Sequence, residues 1–145
     1  MQYNQLGHTG IRVSQLCFGA LTVGPLQAKL PLYEGAAVIR AALDAGVTFI
    51  DTAEIYNTYD YIKAGVGGTS DIVIASKSYA WSYEGMQDSI DNACRQLGRD
   101  YIDIFMLHEQ TSRLTMKGHA DALRCLADNK QRGRIRAVGV STHTV

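Results

Sequence analysis

Five short β-rich runs recur along the 145 residues, and their spacing constrains the fold more than any other feature of the sequence. They are Leu16 to Gly19, Val47 to Asp51, Ile72 to Ser76, Ile102 to Leu107 and Ile135 to Val140, each bounded by Gly, Asp, Ser or Thr. Their starts lie 31, 25, 30 and 33 residues apart, close to the roughly 30 residues that a strand, a crossover helix and their connections occupy. Most runs are almost continuously apolar, as in Ile102-Asp103-Ile104-Phe105-Met106-Leu107. Such runs suit parallel strands covered on both faces and not an open antiparallel sheet.

The segments between the runs carry helical periodicity. Val38, Ile39, Ala42 and Leu43 precede Gly46; Met86, Ile90, Ala93 and Leu97 precede Gly98; Leu123, Leu126 and Ala127 precede Gly133. Each glycine marks a helix stop. Asn57 to Thr69 is Gly-rich with weaker periodicity, which predicts a short or poorly formed helix. Ahead of the first unit, Gly7-His8-Thr9-Gly10 separates Tyr3 to Leu6 from Ile11 to Val13, the pattern of a small hairpin placed to plug one end of a barrel.

Fourteen basic side chains balance fourteen acidic ones, so no net field recruits nucleic acid or an anionic membrane. The longest apolar stretches are strand-sized, short of the ~20 residues a membrane helix needs. Met1 to Gln5 shows no secretory signal, which makes the cytoplasm the expected location. Cys17, Cys94 and Cys125 are odd in number and widely spaced, and read as reduced, half-buried thiols. The basic run Lys130 to Arg136 sits at an expected helix C-terminus, where cations complement the dipole.

Familiar motifs fail. His108-Glu109-Gln110-Thr111-Ser112 lacks the second histidine of a zincin, and no other metal set is apparent. Gly65 to Ser70 precedes a strand, where a dinucleotide fingerprint follows one, and Gly19 to Gly24 runs into Pro25-Leu26 in place of Lys-Ser/Thr. What converges is positional. Asp51, Lys77 and His108 each close one of three successive strands, and Tyr56 follows Asp51 closely enough to curl over the same face. Parallel β/α folds place their chemistry at those strand ends. A Tyr56 phenol tuned downward by a neighbouring Lys77 ammonium, with Asp51 holding the lysine and His108 hydrogen-bonding a substrate oxygen, suits proton donation to a carbonyl under reduction.

These residues lie in segments that resemble the aldo-keto reductase family across the whole chain. The resemblance rests on Leu6-Gly7-His8-Thr9-Gly10-Ile11-Arg12-Val13-Ser14, on Ala45 to Tyr56, on Leu97-Gly98-Arg99-Asp100-Tyr101-Ile102-Asp103 with His108, and on Ile135-Arg136-Ala137-Val138-Gly139-Val140-Ser141. It implies an α/β fold of the parallel (β/α)8 TIM-barrel type. It also implies NADP(H) as hydride donor, a small-molecule carbonyl substrate, and a catalytic tetrad of Asp51, Tyr56, Lys77 and His108. By the same resemblance Gly19 and Ala20 approach the cofactor, Asp51 reaches the nicotinamide ribose, and Ser141 and Thr142 meet the carboxamide, with Thr142 standing where the family usually has Asn.

Asn57-Thr58-Tyr59-Asp60-Tyr61 departs from the family's usual Gly and Ser-Glu pattern, so a different pocket wall is expected. His108-Glu109-Gln110 and Ser141-Thr142-His143 are most similar to a bacterial branch that often carries a C-terminal iron–sulfur segment, for which these residues hold no cysteine motif. A complete barrel takes about 250 residues, and this chain reaches its fifth strand. The expectation is therefore the N-terminal portion of one barrel domain, residues 1–145, inactive alone, weak in NADP(H) binding and prone to self-association through unpaired edges. A non-catalytic regulatory or partner-binding protein on the same scaffold is the alternative.

Overall fold

In the computed structural model, which describes residues 1–69 and 71–143, the five runs form one parallel sheet in sequence order. A hairpin, β1 (Tyr3–Gln5) with β2 (Arg12–Ser14), precedes β3 (Phe18–Gly19). There follow α1 (Leu32–Asp44), β4 (Phe49–Asp51), α2 (Tyr59–Val66), β5 (Val73–Ser78), α3 (Tyr83–Leu97) and β6 (Ile102–Leu107). The chain continues through α4 (Arg113–Gly118), α5 (Ala120–Gln131) and β7 (Ile135–Val140). The sheet order β3-β4-β5-β6-β7 gives β3 and β7 a single partner each.

The α3 segment shows why the pattern folds this way. Ser82 accepts the Gly85 N–H at 3.0 Å and starts the helix. Met86, Ile90, Ala93, Cys94 and Leu97 then recur at the helical period, and all are buried. Gly98, at φ +67°, ends it in the left-handed conformation that a glycine adopts without a Cβ penalty. On this outer side the helices bury Ile39, Ile62, Ile74, Phe105, Leu107 and Leu126 against the sheet. On the other side the hairpin contributes Ile11 and Val13 to a second core with Val73, Ala75, Ile104 and Ala137. The hairpin thus covers one end of the inner sheet face, as its sequence position implies.

Several expectations are refined. The helix expected between residues 57 and 69 is short, eight residues at 59–66, but not poorly formed, with Tyr59, Ile62, Gly65 and Val66 buried. Its glycine is there for close approach: a Cβ on Gly65 would lie 2.7 Å from Ile39 Cβ of α1. The thiols are not uniformly half-buried; Cys94 and Cys125 are buried and Cys17 is exposed, all three free. The basic run, at a helix C-terminus as expected, also forms ion pairs, Arg134 with Asp91 and Arg136 with Asp103. The strand β5 also runs on to Ser78, so Lys77 belongs to the strand itself. Among the described residues no helix is long and apolar enough to cross a membrane.

Candidate active site

Parallel pairing brings the ends of β4, β5 and β6 to one edge of the sheet, and with them the ionisable residues. Asp51 is the last residue of β4 and lies in register with Gly19 and Ala75. Lys77 pairs with Met106, and His108 follows Leu107 directly. The turn of residues 54–56 lifts Tyr56 over this edge. All four residues singled out in the sequence therefore meet.

Lys77 Nζ donates to Asp51 Oδ1 at 2.7 Å and to the Thr52 carbonyl at 2.6 Å. It lies 5.4 Å from the centre of the Tyr56 ring. Tyr56 Oη and His108 Nε2 are 3.4 Å apart, with the rings edge-on at 75°. The imidazole is only 3% exposed, and its Nδ1 has no hydrogen-bond partner among the described residues. Burial first, and the Lys77 charge second, push its pKa below the usual histidine value. A neutral ring beside the phenol is a hydrogen-bonding group rather than a competing acid.

The phenol departs from expectation. Tyr56 is held above its ordinary pKa by burial, then by the charges of Asp51 and Glu109. Lys77 does not pull it down, because the ammonium already neutralises Asp51 at contact distance, and a paired charge projects little field. The raised pKa keeps the proton on Tyr56 until a stronger base forms beside it.

Two side chains outside the sequence-derived set shape the site. Tyr79, two residues beyond Lys77, stacks on His108 and donates to Glu109. Glu109 sits at φ +51°, a conformation that costs a non-glycine residue about 1 kcal/mol or more. Its N–H donates to Ser141 Oγ at 2.8 Å, and its carboxylate pairs with His143 at 3.2 Å. The signal for Tyr79 was a tyrosine directly after the end of β5, passed over because the strand was expected to end at Ser76. Cys17 lies next to Asp51; although the residue as a whole is exposed, the protein atoms crowded around its sulfur, and then that carboxylate's charge, push its thiol up to about 11, so it stays protonated.

Of the residues expected at a nicotinamide, Gly19, Asp51, Ser141 and Thr142 reach the surface and Ala20 does not. A Cβ placed on Gly19 meets nothing within 4 Å, which leaves space for close approach beside Asp51. Asp51 commits one oxygen to Lys77 while its side chain stays 38% exposed, leaving a carboxylate oxygen for a ribose hydroxyl. Ala20 is fully buried beneath this edge. Ser141 follows β7, and its hydroxyl proton is not consumed by the Glu109 bond. Thr142 is exposed beside it.

Comparisons with known proteins identify the family. The sequence model of the Aldo/keto reductase family matches residues 15–145, and the chain belongs to that family. It is 30% identical to a 6-dehydroglucose reductase of Novosphingobium aromaticivorans, over 98% of this chain and 52% of that protein. It is 29% identical to a probable voltage-gated potassium channel subunit beta of Oryza sativa, over 89% of this chain and 44% of that protein. Among solved structures, an aldo-keto reductase of Pseudomonas aeruginosa superposes with a TM-score of 0.85 at 26% identity, covering 97% of this chain and 60% of that one. The chain spans about half the length of the curated relatives it matches.

Proposed function

We propose that this chain supplies the proton-donating half of an NADP(H)-dependent carbonyl reductase, with Tyr56 as proton donor. The observation that carries the reading is the meeting of Tyr56, His108, Lys77 and Asp51 at three adjacent parallel strand ends, with the phenol 3.4 Å from the imidazole. A reduced nicotinamide held near Gly19, Asp51, Ser141 and Thr142 would supply a hydride to the carbonyl carbon. As charge develops on the carbonyl oxygen, Tyr56 Oη gives up its proton to it, and solvent afterwards reprotonates the phenolate. His108 Nε2 orients that oxygen, and Asp51 holds Lys77 in place beside the Tyr56 ring.

The phosphate end of the cofactor needs further donors, each charge-assisted hydrogen bond contributing roughly 1.5–3 kcal/mol. The residues assigned here address the nicotinamide and ribose only. The 145-residue chain alone is therefore proposed to bind NADP(H) weakly and to turn it over poorly. Three free thiols favour a reducing, cytoplasmic setting. A second reading, a regulatory subunit that keeps the cofactor site without turnover, is favoured by the likeness to the rice channel subunit.

The test joins residues 1–145 to the second half of the Pseudomonas aeruginosa reductase and follows NADPH oxidation with an aldehyde. Turnover that falls about 10²-fold or more in Tyr56→Phe, with NADPH affinity unchanged, supports the reductase reading. NADPH binding without turnover supports the regulatory one. Equal turnover by the chimera and its Tyr56→Phe variant overturns the assignment of Tyr56.

A further inference from the structure

The turn that carries Tyr56 is tied at two places. At its base the hydroxyls of Thr52 and Thr58, both fully buried, share a hydrogen bond at 2.7 Å, closing the segment into a loop. At its outer side Glu54, two residues before Tyr56, reaches across to the end of β5 and to α3. One oxygen of its carboxylate, Oε2, accepts from Ser78 Oγ at 2.7 Å and from Ser89 Oγ at 2.8 Å. Both serines are buried, at 2% and 5% exposure. Ser78 is itself fixed, because its oxygen accepts the Ala80 N–H at 3.0 Å, and it directly follows Lys77.

Nothing in the proton-transfer chemistry requires a carboxylate at this place, yet one is held there by two buried hydroxyls. The turn is short, Glu54–Tyr56, and it is followed by Asn57 in a left-handed conformation at φ +53°. Without a tie, a three-residue turn ending in an αL residue has little to fix its height above the sheet. We propose that Glu54 is the positioning residue for Tyr56: by binding Ser78 and Ser89 it locks the turn to β5 and α3 and so sets the phenol's place over Lys77 and against His108. This deepens, and for its catalytic meaning rests on, the carbonyl-reductase reading. Site groups must be held to a fraction of an ångström for such transfers, and loops achieve that only through ties of this kind.

The test uses the 145-residue chain labelled with 13C at tyrosine Cζ and followed by NMR through a pH titration. The Tyr56 signal is the one missing in Tyr56→Phe. In the wild-type chain it titrates above the ordinary value of ~10. In Glu54→Ala the Tyr56 titration is expected to fall back to that ordinary value and its signal to move to the exposed position, as the ring leaves Asp51, Glu109 and its buried seat. Glu54→Gln is expected to restore wild-type behaviour, because both hydroxyls address one oxygen and an amide oxygen accepts both. Ser78→Ala combined with Ser89→Ala is expected to reproduce the Glu54→Ala shift, and decides the matter if Glu54→Ala does not fold. An unchanged Tyr56 titration in a folded Glu54→Ala or double-serine variant overturns the proposal, whatever happens to the melting temperature. So does a Glu54→Gln change as large as that of Glu54→Ala, which would assign the effect to charge. No cofactor or substrate enters the measurement, so a failure of the reductase reading is seen separately, in the chimera's turnover.

Discussion

Tyr79 lies flat on His108, ring centroids 4.3 Å apart and planes inclined by 24°, while its hydroxyl reaches Glu109. The imidazole is thus held by a ring face on one side and a phenol edge on the other. The buried Nδ1 has no partner among the described residues, so the two flanking rings and the long 3.4 Å contact from Nε2 to Tyr56 Oη set the orientation of the imidazole. Tyr79 is therefore the lid that keeps His108 dry.

The first prediction concerns that dryness. The His108 pKa is lowered in the folded chain, chiefly by burial, so the unfolded chain takes up the proton first as pH falls. Stability is full above the unfolded value of ~6.5 and declines as pH drops through it toward the folded pKa, then levels. Melting temperatures measured from pH 7.5 to 5.5 are expected to fall, and to fall less in His108→Asn. Tyr79→Ala is expected to bring the His108 titration back toward ~6.5, read by the ring proton shifts. An unmoved titration would mean the stack does not shield the ring.

A second prediction concerns Asp103, 1% exposed at the sheet interior. Its carboxylate accepts from Ile74 N–H at 3.0 Å, Arg99 Nη1 at 3.1 Å and Arg136 Nη1 at 2.6 Å. Asp103→Ala strands a buried N–H and two guanidinium groups, of which Arg99 is well covered and Arg136 is 44% exposed. Removing one member of a buried pair costs about 3–5 kcal/mol, and the exposure of Arg136 places the loss toward the lower end. Urea unfolding measures it, and a loss under 1 kcal/mol would show that the cluster is solvated.

Much of the site could be read from the sequence because a strand end is a local event. Asp51, Lys77 and His108 each follow an apolar run, and parallel pairing brings such ends together. Glu54 could not be read, since its partners Ser78 and Ser89 lie 24 and 35 residues away and neither serine sits in a recognisable pattern. The direction of the Tyr56 shift was missed for a related reason. A lysine beside a tyrosine predicts a lowered phenol, whereas burial, the first cause of the upward shift, is set by the tertiary packing around the ring. The helix of residues 59–66 was underestimated because glycine counts against a helix locally, whereas Gly65 is needed for the approach of α1.

That approach supplies a third prediction. A Cβ at Gly65 would lie 2.7 Å from both Ile39 Cβ and Ile39 Cγ2, and 3.1 Å from the Ala36 carbonyl. Backbone and Cβ atoms cannot swing aside, so α1 and α2 must separate. Gly65→Ala is expected to cost about 1–3 kcal/mol of stability despite the better helix propensity of alanine. Denaturant unfolding checks it, and a stabilised variant would show that the helices part freely.

The fourth prediction follows from β7. Five of its six residues pair with β6 on one side, and the edge carries Val140 at 44% exposure beside a groove of about 500 Å³ lined by Gln110, Met116, Lys117 and Thr142 among others. Unpaired strand edges with apolar side chains template association with further strands. Arg136, the charged residue within β7, is paired with Asp103 and so only partly free to guard this edge. The 145-residue chain is therefore expected to self-associate with rising concentration in light scattering. Val140→Lys adds a cation to a groove already lined by Arg113 and Lys117, so a second copy approaching that edge meets like charge. The variant is expected to shift the population toward monomer without lowering the melting temperature of the dilute chain, since an exposed side chain contributes little to the core. A monodisperse wild-type monomer at high concentration would show that the β7 edge is closed by its own surroundings. Equal association of wild type and Val140→Lys would move the contact elsewhere, with the short β3 edge the next strand to block.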